Sequence, residues 1–337
     1  MALLEIRDLH VSFETRDGIV HAVDGVSFAV DRGQTLGVVG ESGSGKSVTA
    51  LTVMGLTRLP NATISGEVLL DGVDLLAMPT DELRRVRGKR VAMIFQDPLS
   101  SLHPLYKIGW QIVEAIQAHE RASEKAARAR ALEALREVGI PNAADRLSSY
   151  PHELSGGMRQ RVMIAMALVL DPEILIADEP TTALDVTVQA QILDLVRELQ
   201  AEHGTAVVLI THDLGVIAET ADEVAVMYAG RVAELGPLTG VIDHPEHPYT
   251  WGLLQSLPST EASRSEPLHP IEGSPPSLIS VPSGCPFHPR CPYVMEVCPR
   301  ERPALLPTTP GHTVACHLSV PTRRAIGSEV RAQETRA

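Results

Sequence analysis

Gly40-Glu41-Ser42-Gly43-Ser44-Gly45-Lys46-Ser47 follows the apolar run Thr35–Val39 and leads into a helix-forming stretch. The pattern G-x4-G-K-[ST] between a strand and a helix is that of a loop that cradles phosphates. Its glycines let backbone N–H groups converge on the anion, and the helix N-terminus adds positive potential. In that role Lys46 reaches the β- and γ-phosphates of ATP, and the Ser47 hydroxyl ligates Mg²⁺. The bland alternative is a glycine-rich turn that matches by accident. The strand before it and the helix after it argue against accident, and they set the fold class as α/β.

Outward from this loop, turn residues and apolar runs predict strands at 3–9, 19–30, 35–39, 67–70, 91–95, 174–177, 206–210 and 223–227. Between 98 and 157 the pattern turns helical; 126–138 places Leu132, Leu135 and Val138 on one face, and Gly139 stands where a helix stops. Alternation of strands and helices implies a mostly parallel sheet with helical cover, and 98–157 reads as an insertion. From 237 to 321 prolines are dense, too many for long helices, which predicts a second, loop-rich domain. Residues 322–337 are expected to be a disordered end.

The strand 174–177 ends in Asp178-Glu179, at the carboxyl edge of the sheet where ligands bind. With the phosphate loop, Asp178 is the candidate to hold Mg²⁺ through water and Glu179 the candidate to polarise an attacking water. Alone, such a pair is usually a solvated cap or turn. Leu154-Ser155-Gly156-Gly157-Met158, followed by Gln160-Arg161, has the makings of a second phosphate-binding element: a serine and backbone amides at a helix start.

Composition bounds the rest. The chain has 337 residues, 44% of them hydrophobic, enough for one large and one smaller domain with a real core. Its net charge of −13 and lack of a basic cluster argue against nucleic acid as a partner. No apolar stretch reaches the length of a membrane span, and the polar Glu5 so soon after Met1 predicts no leader peptide. A cytosolic location is expected, with any membrane role exercised through a partner.

The pentapeptide 154–158 resembles the signature sequence of ABC ATPases, and the other motifs fall in that family's order. Gln96, after the strand 91–95, resembles the Q-loop glutamine. Asp185 in Ala183-Leu184-Asp185 resembles the D-loop, His212 the switch histidine, and Phe13 the aromatic that stacks on adenine, with a core phenylalanine as the alternative. The resemblance implies a P-loop (RecA-like) core with an antiparallel β-subdomain and a helical insertion, here residues 1–236. It implies catalysis by Glu179, His212 and Gln96, and Mg²⁺ held by Ser47, Gln96 and Asp178. Each ATP site then needs a phosphate loop from one subunit and Ser155, Gly156 and Gly157 from another. Gln96-Asp97-Pro98-Leu99-Ser100-Ser101-Leu102-His103-Pro104, His247-Pro248-Tyr249-Thr250 and the Cys-Pro-rich end resemble the dipeptide and oligopeptide importers more narrowly. His103 departs from the asparagine frequent there, without touching the chemistry.

The four cysteines, Cys285, Cys291, Cys298 and Cys316, are separated by five, six and seventeen residues, a poor match to zinc-ribbon spacing. Four thiolates suit a [4Fe–4S] cluster, which the importer resemblance also implies. Structural zinc and free or redox-paired thiols are the alternatives, with His288, His312 and His317 as substitute ligands.

The resemblance further implies a second, homologous ATPase subunit, two permease subunits, an extracytoplasmic solute-binding protein and a peripheral place on the cytoplasmic face of the membrane. Peptide is the expected solute, with nickel or glutathione as alternatives. A DNA-repair or translation ATPase of the family typically carries two cassettes or a long coiled coil, and this sequence has neither. A redox sensor with a vestigial nucleotide site is disfavoured by the presence of both Glu179 and His212.

Overall fold

The computed structural model describes residues 2–97, 101–181, 186–256 and 271–334. Its strands are β1 (Leu4–Thr15), β2 (Gly18–Val30), β3 (Thr35–Val39), β4 (Ala62–Leu70), β5 (Val73–Asp74), β6 (Val91–Ile94), β7 (Ile174–Asp178), β8 (Ala206–Thr211), β9 (Glu223–Tyr228), β10 (Arg231–Pro237), β11 (Leu306–Thr309) and β12 (His312–Val314). The chain divides into two compact units. One is built mainly from Leu75–Ile210; the other comprises Leu4–Ala29, Thr35–Asp74 and Thr211–Ala337.

In the first unit β6, β7 and β8 pair in parallel, with Val91 opposite Ile174 and Asp178 opposite Ile210. Every residue of these strands up to Ile210 is buried, as expected of near-continuous apolar runs in a parallel sheet covered on both faces. The predicted helical insertion contains helices Ile108–His119 and Glu124–Glu137. The second begins two residues before the expected position because the Ser123 hydroxyl accepts the Ala126 N–H at 3.3 Å, capping an extra turn. Its buried face is Ala127, Ala131, Ala134 and Leu135, while Leu132 is only half-buried.

In the second unit β2, β1, β4 and β5 form an antiparallel sheet, as the resemblance implies. Another sheet pairs β3 with β9 in parallel and continues antiparallel through β10, β12 and β11. The stretch expected to be a separate domain from 237 onward is therefore tied by β12 to β10, with Glu234 opposite Val314. It is richer in core than its proline content implies: Tyr249, Trp251, Leu254, Phe287, Val314 and Val330 are buried. The expectation of disorder from 322 is corrected, since Val320–Glu334 is a helix. Arg323 on that helix is buried and ion-paired at 3.3 Å with the equally buried Glu246.

Candidate nucleotide site

The loop after β3 is shaped by two glycines. Gly40 and Gly45 have φ of +150° and +101°. A Cβ would lie 2.2 Å from the Met227 carbonyl oxygen at Gly40 and 2.5 Å from that of Ala22 at Gly45. No larger residue fits without moving the backbone. Lys46, 5% exposed, spans the loop and donates to Gly40 O at 2.6 Å, Glu41 O at 3.0 Å and Ser44 Oγ at 3.3 Å. Helix Lys46–Val53 has Gly45 at its N-cap, and no side chain caps its first turn. A helix N-terminus at this place puts the positive end of the helix dipole beside the loop, which suits an anion.

Glu41 is held from outside the loop. Its N–H donates to Tyr249 Oη at 2.8 Å, and its carboxylate takes two bonds from Arg290, at 2.6 and 3.0 Å.

In the other unit, Asp178 ends β7 with 5% exposure, and Glu179 follows with φ of +46°. The left-handed conformation is unfavourable for a glutamate, and such strain gathers at functional positions. It is held by the Glu179 N–H donating to Ile210 O at 2.8 Å. Gln96 Nε2 donates to Glu179 Oε2 at 2.8 Å, bringing these two predicted residues together. Ser155 is the N-cap of helix Gly156–Leu168, its hydroxyl accepting Met158 N–H at 3.3 Å. Ser155 and Gly156 are exposed, and among the described residues a Cβ at Gly156 would meet nothing within 4 Å. His212 stands exposed just beyond β8, and Phe13 is half-buried on β1 opposite Ala62. Asp185 lies outside the described residues, as do Pro98, Leu99 and Ser100.

Comparison with known proteins decides what this loop belongs to. A family model described as "ABC transporter" matches residues 23–182, and one described as "Oligopeptide/dipeptide transporter, C-terminal region" matches 233–298. The dipeptide transport ATP-binding protein DppD of Bacillus subtilis is 51% identical over 317 residues, 94% of either chain. The oligopeptide transport ATP-binding protein OppD of Escherichia coli is 50% identical over 94% of this chain and 93% of its own. The chain belongs to the ABC-transporter ATP-binding proteins. Among solved structures, the ATP-binding cassette MJ0796, dimeric in a post-hydrolysis state with ADP and Pi, superposes with a TM-score of 0.63 at 29% identity. That match covers 70% of this chain and 98% of the cassette. Among the described residues, no helix of this ABC protein is long and apolar enough to cross a membrane.

The cysteines of the ABC protein are not gathered into a preformed metal site. Among the described residues no group of three or more His, Cys, Asp or Glu side chains is arranged to hold a metal ion. The expected [4Fe–4S] ligand shell, and the zinc alternative, are thus not preassembled; all four cysteines are free thiols. Burial pushes the Cys285 thiol up to about 11 and Cys291 up to about 12, and raises Cys316 as well. The thiols also raise one another's pKa, so they lie within electrostatic reach. The three histidines are committed elsewhere. His288 Nδ1 donates to Cys285 O and His317 Nε2 to Glu301 O, both at 2.9 Å, and His312 Nε2 to the buried Glu234 carboxylate at 2.8 Å. Of these, His312 is itself buried.

Sequence reasoning missed Tyr249 and Arg290 as neighbours of the phosphate loop. The local pattern His247-Pro248-Tyr249-Thr250 marks a helix start only. His247 Nδ1 accepts the Tyr249 N–H at 3.0 Å as the N-cap of helix Pro248–Gln255, and Pro248 supplies the preset φ of a first turn.

Proposed function

We propose that this chain is the ATP-hydrolysing subunit that energises import of dipeptides and oligopeptides. It works beside a second ATP-binding subunit, two permeases and an extracytoplasmic binding protein, peripherally at the cytoplasmic face of the membrane. The observation that carries this is the likeness to peptide-transport ATP-binding proteins over more than nine-tenths of the chain, C-terminal region included.

In this reading the loop amides and Lys46 hold the phosphates, and Phe13 packs on the adenine. Glu179 takes the proton of the attacking water, with Gln96 orienting its carboxylate and His212 contacting the γ-phosphate. Magnesium, when bound, neutralises phosphate charge, and Ser47, Asp178 and Gln96 are the residues to hold it. Ser155, Gly156 and Gly157 serve the phosphate loop of the partner subunit, with Asp185 at the interface. The exposure of Ser155 and the open space around Gly156 support that role. Permease docking is supported by Leu105, Tyr106 and Trp110, large apolar side chains all left exposed in the segment after Gln96. The same reading gives Cys285, Cys291, Cys298 and Cys316 a structural [4Fe–4S] cluster. Four cysteines within one proline-rich segment support it, since four thiolates match the four irons of a cubane. Iron and labile sulfide near four each per anaerobically purified chain is the expected content; one zinc per chain would remove the cluster.

The test of the transport role is uptake by proteoliposomes holding the full complex with its binding protein. ATP-dependent accumulation of labelled dipeptide or oligopeptide is expected. Accumulation of nickel or glutathione with no peptide uptake overturns the assignment of solute.

A further inference from the structure

Position 41 is one of the four unspecified places in the phosphate-loop pattern, yet in this chain it is gripped twice from the C-terminal segment. Arg290, its side chain 5% exposed, has no idle donor group. Nε donates to Glu272 O at 2.9 Å; Nη1 donates to Glu41 Oε2 at 2.6 Å and Tyr228 Oη at 3.3 Å; Nη2 donates to Glu41 Oε1 at 3.0 Å and Ile271 O at 3.3 Å. Exposed ion pairs contribute little, whereas a two-pronged pair shielded from water fixes both partners in direction as well as distance. Burial opposes the charge on Arg290, but the bonds to Glu41 and Tyr228 outweigh it and hold the guanidinium more firmly protonated than usual.

The second grip is on the backbone. The Glu41 N–H donates to Tyr249 Oη, and Tyr249 is fully buried. Tyr249 is fixed in turn by His247 at the helix start. The N–H groups of Glu246 and His247 are held by the buried Glu234 carboxylate at 2.7 and 3.1 Å. Tyr228 packs against both Tyr249 and Phe287, with ring centroids 4.6 and 5.2 Å apart, and closes the group between the two grips.

We propose that Arg290 and Tyr249 are positioning residues for nucleotide binding, holding Glu41 and through it the phosphate loop in its binding shape. The cysteine-bearing segment, in which Arg290 directly precedes Cys291, thereby sets the chain's affinity for ATP. The inference rests on the reading of residues 40–47 as the nucleotide loop.

The test uses the full chain, titrated with ATP, and the assembled complex for turnover. Arg290→Met is expected to weaken ATP binding by about tenfold, from the loss of two charge-assisted bonds to Glu41, and Tyr249→Phe by about threefold, from the loss of one hydrogen bond to the loop. Arg290→Lys, which keeps the charge but not the fork, recovers part of the loss. Glu41→Gln added to Arg290→Met costs less than about twofold more, since both act through one contact. In the complex KM for ATP rises while kcat stays within about twofold, a split that general loosening of the fold does not produce. Wild-type affinity in folded Arg290→Met and Tyr249→Phe, with binding lost in Lys46→Ala, overturns the latch and leaves the loop reading standing. Wild-type affinity in Lys46→Ala overturns the loop reading and the latch with it. Where Arg290→Met fails to fold, Tyr249→Phe decides, since it removes a single hydroxyl.

Discussion

Residues 40–47 and residues 154–158 are both candidates to bind phosphate, and their surroundings are opposite. The first is walled in by its own chain: carbonyl oxygens of Met227 and Ala22 press on Gly40 and Gly45, and Lys46 is buried among the loop's own oxygens. The second lies open. Ser155 is exposed at the head of its helix, and among the described residues Gly156 has no neighbour that forbids a side chain. A glycine that its own fold does not require leaves room for something outside the chain. One element is enclosed by its own chain; the other is open, as the proposed role toward a partner subunit requires.

The largest expected effect leaves both elements intact. Glu179→Gln should lower turnover of the assembled transporter by about 10²- to 10⁴-fold, with ATP affinity unchanged. Near-normal turnover would take the base role away from Glu179. Gly45→Ala and Gly156→Ala then separate the two elements directly. The first puts Cβ against Ala22 and demands a left-handed alanine, so ATP affinity of the single chain should fall at least about tenfold. The second should leave single-chain affinity alone and lower only turnover of the complex. Equal loss of single-chain affinity in the two variants would erase the distinction. Smaller again is the effect of pairing Ser155→Arg subunits with a wild-type partner. About half the turnover should survive, because the partner's signature remains, and loss of both sites with the dimer intact counts against the shared geometry.

The smallest effect probes the wall around the first element. Burial lowers the pKa of His247 from 6.5 to about 3. Between those values the unfolded chain binds a proton that the folded chain refuses, so stability rises with pH across the window and is lost as pH falls from 6.5 toward 3. Urea midpoints of the full chain over that range should show the slope, and His247→Asn should flatten it. An unchanged slope would mean that other groups control the acid response.

Much of this was legible along the sequence because it is local. Thr35–Val39 has the predicted bounds, since an unbroken apolar run between turns has only one way to be buried. Asp178 and Glu179 were found by their position after such a run. The helix Val320–Glu334 was not found, because its buried positions among the described side chains are Arg323, Gly327 and Val330. Helical spacing is present there, but only one of the three is a large apolar residue, and the arginine is tolerated only because Glu246 pairs with it. Tyr249 and Arg290 escaped for a different reason. Their partner Glu41 is 208 and 249 residues away, and no local pattern carries that pairing.

That 249-residue separation between Glu41 and Arg290 also orders events during synthesis. At ribosomal rates of about 5–20 residues per second, the phosphate loop leaves the tunnel roughly 12 to 50 s before the arginine that grips it. Throughout that interval the nascent chain carries a glutamate whose final partner does not yet exist. If Arg290 latches the loop as proposed, the loop takes its final shape late, timed by the arrival of the C-terminal segment as well as by the folding of the strand and helix that flank it.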